Sequence, residues 1–164
     1  MYILYDEYYA NRKSFEIVDE IAKPKTLIYR RFINFTFFGH VNSLLKDNYY
    51  LRIKEQIAGF RSHGDVRYFL NQVNPCFDEV SKDIVYAYSF IDHFFRLKKV
   101  EPLLHKSTMV NENTMALIDF YRQKYVLDDL DLNDGLAIMQ DYMTNFGIIF
   151  RDIPEGIYVD VLNI

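Results

Sequence analysis

The spacing of apolar residues predicts a chain built mainly of helices. The strongest pattern follows Asn74 and Pro75, where apolar side chains recur at steps of three and four residues. These side chains are Phe77, Val80, Ile84, Tyr88, Ile91 and Phe95. Because asparagine caps helices and proline is tolerated in the first turn, we expect a long helix to begin at this point. Its wide apolar arc predicts a central place in a bundle.

Six further segments have helical spacing, although the second of them is ambiguous. They cover residues 4–22, 27–45, 50–60, 65–73, 113–126 and 131–146. Pro24 would end the first helix, and Gly147 would end the last, since glycine is favoured just past a helix C-terminus. Within the second segment, Ile33, Phe35 and Phe37 also alternate as a strand would, so a strand at this place stays an alternative.

The C-terminal residues change to the alternation that is typical of strands. The β-rich positions on either side of a Pro154-Glu155-Gly156 turn are Ile148, Phe150, Ile153, Tyr158, Val159 and Val161. We therefore expect a β-hairpin over residues 148–162. A lone hairpin is marginally stable, so it must pack on the helices or gain a third strand, for which residues 1–5 are the candidate. The predicted fold class is mainly α: one domain over residues 1–164, a bundle of about six or seven helices with this hairpin appended.

Composition supports one globular domain and excludes several classes of protein. The chain has 164 residues, of which 50% are hydrophobic and 26% charged, which excludes a disordered or fibrous protein. A single cysteine, Cys76, excludes a disulfide framework. The longest uncharged stretch, residues 32–45, is too short and too polar for a membrane span. The first residues do not resemble a secretory signal. We expect a cytoplasmic protein that does not enter a membrane.

Charge is polarised along the chain. Residues 1–106 carry 16 Lys and Arg against 13 Asp and Glu, whereas residues 107–164 carry 3 against 10. A chain polarised in this way can steer a charged partner or associate head to tail with its own copies. Two solvated faces without any partner are the alternative. The predicted acidic partner-binding face consists of Asp128, Asp129, Asp131, Asp134 and Asp141.

This acidic segment does not fit a calcium loop. With Asp129 in the first position, the required glycine is Asp134 and the bidentate glutamate is Gln140. Capping of the following helix explains the acids more simply, because negative side chains stabilise a helix N-terminus. We therefore predict no metal site here. The face would suit a basic partner, such as a protein that handles nucleic acid.

Aromatic and basic residues suggest two kinds of surface. The chain has 14 Tyr and 14 Phe but no Trp, and tyrosine is enriched at recognition surfaces. We expect Tyr49, Tyr50 and Tyr86 to bind a partner, with packing at the edge of the core as the alternative. For nucleic acid, the candidates within residues 23–67 are Arg30, Arg31, Arg52, Lys54, Arg61 and Arg67. The net charge of −4 weighs against nucleic acid as the main partner.

No catalytic constellation is evident. Neither Gly-rich phosphate loop is present, and the four histidines lack the spacing of helical metal ligands. Ser89, Asp92 and His93 have the residue types of a triad, but Asp92 would project about 100° away from His93 on a helix. We expect no catalytic residue, no metal and no cofactor.

These observations together predict a non-enzymatic regulator or inhibitor that binds a protein partner or forms homo-oligomers. Small size and abundant Tyr, Phe, Ile and Asn suit an accessory protein of a phage, virus or mobile element, acting then in the host-cell cytoplasm. The alternative is a helical domain that binds nucleic acid through the basic residues above.

Overall fold

A computed structural model describes residues 2–22, 27–46, 48–127, 135–154 and 156–162. Its elements in chain order are α1 (Tyr2–Ala22), α2 (Leu27–Leu45), α3 (Asn48–His63), α4 (Val66–His93), a 3-10 helix (Phe95–Val100), α5 (Glu101–Leu104), α6 (Glu112–Leu127), α7 (Leu136–Thr144), β1 (Ile148–Ile153) and β2 (Gly156–Val161). The predicted fold class, a mainly α bundle with a small C-terminal hairpin, is confirmed. No helix in these described ranges is long and apolar enough to cross a membrane.

Helix α4 is the centre of the bundle, as its wide apolar arc predicts. Helices α1, α2 and α3 all pack against it. From Val80 to Ile91 nearly every side chain is buried or half-buried, which requires neighbours on several sides. Phe90 shows this arrangement, since its ring lies 4.6 Å from that of Phe15 on α1 and 6.1 Å from that of Phe37 on α2.

The expected start of the long helix at Asn74 and Pro75 is wrong. Helix α4 begins at Val66, where the Asp65 carboxylate accepts a hydrogen bond from the Tyr68 backbone N–H at 2.9 Å. Pro75 lies inside the helix and removes one backbone hydrogen bond. The helix continues through it because its apolar stripe is continuous: Phe69 and Val73, six and two residues before the proline, are buried against the rest of the core.

The candidate N-terminal strand over residues 1–5 is also wrong where the structure describes it, because residues 2–5 belong to α1. Leu4, Tyr5 and Tyr8 share one face of that helix and are buried. The strand alternative for residues 33–37 is wrong for the same reason. In α2, Ile33 and Phe37 face the core, whereas Phe35 points away and is 83% exposed.

The predicted hairpin is confirmed, and it rests on the bundle. Strands β1 and β2 pair antiparallel, from Ile148 opposite Val161 to Ile153 opposite Gly156. Gly147 precedes β1 with a φ of 75°, a left-handed conformation that glycine tolerates at a helix C-terminus. Ile148 and Val159 are buried, so one face of the hairpin is covered by helices rather than by a third strand.

Candidate functional site

The strongest candidate for a functional surface is the solvent side of α2. The helix turns Ile33, Phe37, Val41 and Leu44 towards the core at steps of four, four and three residues. The opposite side, which we call the α2 outer face, consists of Arg31, Phe32, Phe35, Phe38, Gly39, Asn42 and Lys46. With about 100° per residue, all seven lie within about 60° of Phe35 around the helix axis.

Three phenyl rings dominate the α2 outer face. Phe32 is 64% exposed, Phe35 is 83% exposed and Phe38 is 43% exposed. If a whole phenylalanine side chain presents about 200 Å², the three rings offer roughly 380 Å² of apolar surface to water. The largest apolar patch of a typical monomer is about 300–600 Å² and is often functional, so the three rings together are of the size expected for such a surface. The bundle has already buried the other face of α2, so core packing does not explain these rings.

Two cations mark the ends of the α2 outer face. Arg31 and Lys46 are both exposed, and neither has an ion-pair partner among the described residues. The sequence between them, residues 32–45, contains no Asp, Glu, Lys or Arg. The face is therefore apolar in the middle and positive at both ends.

Gly39 leaves a gap beside Phe35. A Cβ atom built at Gly39 would meet nothing within 4 Å, so neither packing nor backbone conformation requires glycine here. In an exposed helix interior, glycine costs about 1 kcal/mol relative to alanine. The absence of a side chain lets another backbone approach the helix closely, one turn beyond the most exposed ring.

The three predicted tyrosines lie at the edge of the core. The Tyr49 hydroxyl donates to Asp83 Oδ2 at 2.6 Å, and the Tyr86 hydroxyl donates to Glu7 Oε2 at 2.7 Å. These bonds connect α3 to α4 and α4 to α1. Burial, followed by the bond to Glu7, raises the pKa of Tyr86 to about 12. Tyr50 is half-buried, with the Lys54 ammonium 4.6 Å from its ring centre. Their role in partner binding stays a prediction.

The basic candidates lie on three helices and differ in what they contact. Arg52 Nη1 pairs with Glu79 Oε2 at 2.6 Å, and Arg61 donates to the Leu162 carbonyl. Arg31 and Arg67 are exposed without an ion pair in the part of the chain that is described. The structure does not describe the side chain of Arg30. The ammonium of Lys54 lies against the Tyr50 ring.

The predicted acidic face falls largely outside the described residues. These positions are Asp128, Asp129, Asp131 and Asp134. Asp141 is exposed on α7, and its backbone carbonyl accepts a hydrogen bond from the Asn113 side chain at 3.1 Å. The acidic face stays a prediction.

A second feature of the molecule is a cluster of charged side chains between α1, α4 and α6. The Asp92 side chain is only 10% exposed. Its Oδ2 accepts a hydrogen bond from Arg122 Nε at 2.9 Å, and its Oδ1 accepts one from Arg122 Nη2 at 2.8 Å. The Tyr8 hydroxyl donates to Asp92 Oδ2 at 2.6 Å, and Arg12 Nη1 lies 3.8 Å from the same oxygen. Although burial disfavours its charge, the bonds to Asp92 hold the pKa of Arg122 above its ordinary range.

This cluster lines an open cavity of about 430 Å³. Arg122 also contacts Glu101 Oε1 at 3.4 Å and Asp119 Oδ1 at 2.8 Å, so three carboxylates share its charge. Opposite it, the Arg12 guanidinium lies 4.6 Å from the centre of the Tyr125 ring. Because these charges largely satisfy one another, the arrangement joins α1, α4 and α6.

Ser89, Asp92 and His93, which have the residue types of a catalytic triad, do not contact one another as a triad requires. Ser89 donates to the Tyr86 carbonyl at 2.9 Å, within its own helix. His93 Nε2 lies 2.8 Å from Asp19 Oδ2 on α1, while Asp92 is held by Arg122 and Tyr8. In the described ranges, no group of three or more His, Cys, Asp or Glu side chains is placed to hold a metal ion.

No family model, curated protein or solved structure matches this chain. The candidate surface therefore rests on the chain's own geometry. Sequence reasoning did not single out Phe32, Phe35 and Phe38. The available signal was the inner stripe of α2: once Ile33, Phe37, Val41 and Leu44 are assigned to the core, the other three phenylalanines must face outward.

Proposed function

We propose that the protein is a non-enzymatic regulator or inhibitor that binds a protein partner through the α2 outer face. The observation that supports this function is the row of exposed rings, Phe32, Phe35 and Phe38, on a helix whose opposite side is buried. Its amino-acid usage suits an accessory protein of a phage, virus or mobile element that acts in the cytoplasm of the host cell.

The exposed surface is large enough to anchor a partner. At about 25 cal/mol per Å², covering roughly 380 Å² of apolar surface provides about 9 kcal/mol before the costs of association. Those costs are about 4–15 kcal/mol, so covering the rings offsets a large part of them and neighbouring contacts must supply the net affinity. Aromatic anchors of this kind are typical of interface hot spots.

The function is tested by capture and reconstitution with matched variants. Phe35→Ser removes the most exposed ring, and Leu136→Ser on α7, where the side chain is 57% exposed, removes a comparable apolar group elsewhere. Wild-type and variant proteins with equal circular dichroism serve as baits in an extract of the native host. We expect a captured protein that Phe35→Ser reduces at least tenfold and Leu136→Ser leaves unchanged.

Capture alone does not establish the site. The captured protein, once purified, must bind wild-type protein directly and slow hydrogen exchange of the backbone amides over residues 31–46. Equal capture by Phe35→Ser and wild-type protein, or protection elsewhere with none on α2, would contradict the proposal.

Nucleic-acid binding is the second candidate, favoured by one observation. Arg31 and Arg67 are exposed without an ion pair in the described part of the chain, and Tyr68, which follows Arg67 in the sequence, is 54% exposed. Cations next to aromatic rings are the elements of single-strand binding. A labelled oligonucleotide that is retarded at 50 mM salt, and released when Arg31 and Arg67 become Glu, would favour this function. No retardation under these conditions would exclude it.

A further inference from the structure

The charge distribution of the α2 outer face specifies what kind of partner fits it. Resting on the function proposed above, we infer that the partner contributes an amphipathic helix whose apolar stripe has acidic residues at both ends. Arg31 and Lys46 are 15 residues apart, which is about 22 Å along a helix. A matching segment has about four helical turns, with an acid in its first turn and another in its last.

Charge disfavours a two-fold pairing of this face with the same face of a second copy. A two-fold dimer brings the same patch of both copies together, so each residue meets its own counterpart or one from the other end. Arg31 would then face either Arg31 or Lys46 of the second copy, and no described acid on the face offsets that repulsion. Like charges opposed across an interface select against a pairing, whereas acids at those places favour it.

The same spacing argues against nucleic acid on this face. A strand of duplex DNA carries a phosphate about every 3.4 Å along the axis, and affinity comes from neutralising several of them. The α2 outer face has two cations separated by about 22 Å, with an uncharged stretch between them. It can pair with two charges at fixed places but cannot follow a continuous line of phosphates.

Gly39 favours a helix over an extended segment. Helices pack when side chains of one enter the spaces between side chains of the other, spaced three and four residues apart. Phe35 and Gly39 are four residues apart, so a projecting ring and an open gap follow each other on the same ridge. A partner side chain can enter the gap at Gly39 while its neighbours pack against Phe35 and Phe38.

The inference is tested with two labelled 18-residue helical peptides. Both carry leucines along one face; one has glutamates in its first and last turns, and its twin has lysines there. Fluorescence anisotropy at 50 mM salt should show the acidic peptide binding at least tenfold more tightly than the basic one. Raising the salt to 300 mM should narrow the difference several-fold, because exposed charges are screened.

Two sets of variants identify the contacts. Arg31→Glu combined with Lys46→Glu should reverse the preference between the peptides. Gly39→Ala should weaken the binding of the acidic peptide at least threefold, since a methyl group would fill the gap beside Phe35. Gly59→Ala on α3 is the matched control, because that helical glycine also has nothing within 4 Å of its Cβ position. It should leave peptide binding unchanged.

The outcomes separate this inference from the proposed function. Equal binding of the two peptides, no binding of either, or no response to charge reversal would overturn the acidic-helix inference. The proposed function would still stand if Phe35→Ser abolished partner capture. A dimer seen by light scattering that Phe35→Ser dissociates would place a second copy on this face and overturn the inference as well.

Discussion

Removing the Arg122 guanidinium while keeping Asp92 would test what holds α1, α4 and α6 together. The Asp92 carboxylate is 10% exposed, and Arg122 supplies two of its short hydrogen bonds. In Arg122→Met, the carboxylate would keep the Tyr8 hydroxyl and the more distant Arg12 Nη1. Breaking a buried ion pair by deleting one partner costs about 3–5 kcal/mol. Because Arg122 is itself 28% exposed, we expect a loss of about 2–4 kcal/mol.

The second half of the experiment removes the charge that is left behind. In the double variant Asp92→Asn, Arg122→Met, no unpaired carboxylate remains, so its destabilisation should be smaller than the sum of the two single variants. A coupling energy of about 2 kcal/mol is expected for a well-aligned, largely buried pair. Arg151→Met is the control: Arg151 pairs with Asp160 at a similar distance, 2.9 Å, but is 58% exposed. That variant should change stability by at most about 0.5 kcal/mol.

Urea denaturation at pH 7, followed by circular dichroism, measures these free energies. For a chain of 164 residues, a loss of about 3 kcal/mol also corresponds to a midpoint lowered by roughly 6–12 °C in a thermal scan. The reasoning would be refuted by a loss of less than about 1 kcal/mol in Arg122→Met. It would also be refuted if the destabilisation of the double variant equalled the sum of the two single variants. The Asp92 carboxylate and the Arg122 guanidinium would then not stabilise each other.

Three other predictions concern stability. Asp65→Ala should lower the free energy of unfolding in urea by about 1 kcal/mol, because the side chain caps α4. An unchanged free energy of unfolding would show that the cap does not stabilise the helix. Ser107→Ala should cost about 1–2 kcal/mol, because the hydroxyl donates to the buried Leu44 carbonyl at 2.8 Å; an unchanged midpoint would contradict that. Burial raises the pKa of Tyr86 and Tyr125 to about 12, so stability should be complete below pH 10 and fall between pH 10 and 12. The difference in absorbance at 295 nm between wild-type protein and Tyr86→Phe or Tyr125→Phe should show each residue ionising above pH 10 in the folded protein. A difference that titrates at pH 10 would contradict the contacts.

Helical periodicity was enough to predict the fold class, because the apolar stripes that predict helices in the sequence are the same surfaces that pack in the bundle. The start of α4 was missed, since Asn74 and Pro75 are good local signals for a helix start. Local signals of this kind are worth about 1 kcal/mol, whereas burying Phe69 and Val73 is worth about 1.5–3 kcal/mol each. The burial therefore decides where the helix begins.

The candidate surface was harder to predict because α2 is apolar on both sides. Phe35 and Phe37 are chemically identical, and only the position of α4 makes one of them exposed and the other buried. The hydrogen bonds of the predicted tyrosines were not foreseen for a related reason. A hydroxyl at the edge of the core needs an acceptor, and in Tyr49 and Tyr86 the bundle itself provides one. Partners that come from distant parts of the chain are not visible in residue spacing.

Pro75 has a consequence for how the molecule opens. It interrupts the backbone ladder of α4 between a first part, in which only Phe69 and Val73 are buried, and a second part, in which eleven side chains from Cys76 to Ile91 are buried. Stretches with fewer buried apolar side chains open at a lower free energy than well-buried ones. We therefore expect the turns of α4 before Pro75 to lose their backbone protection before the turns that follow it.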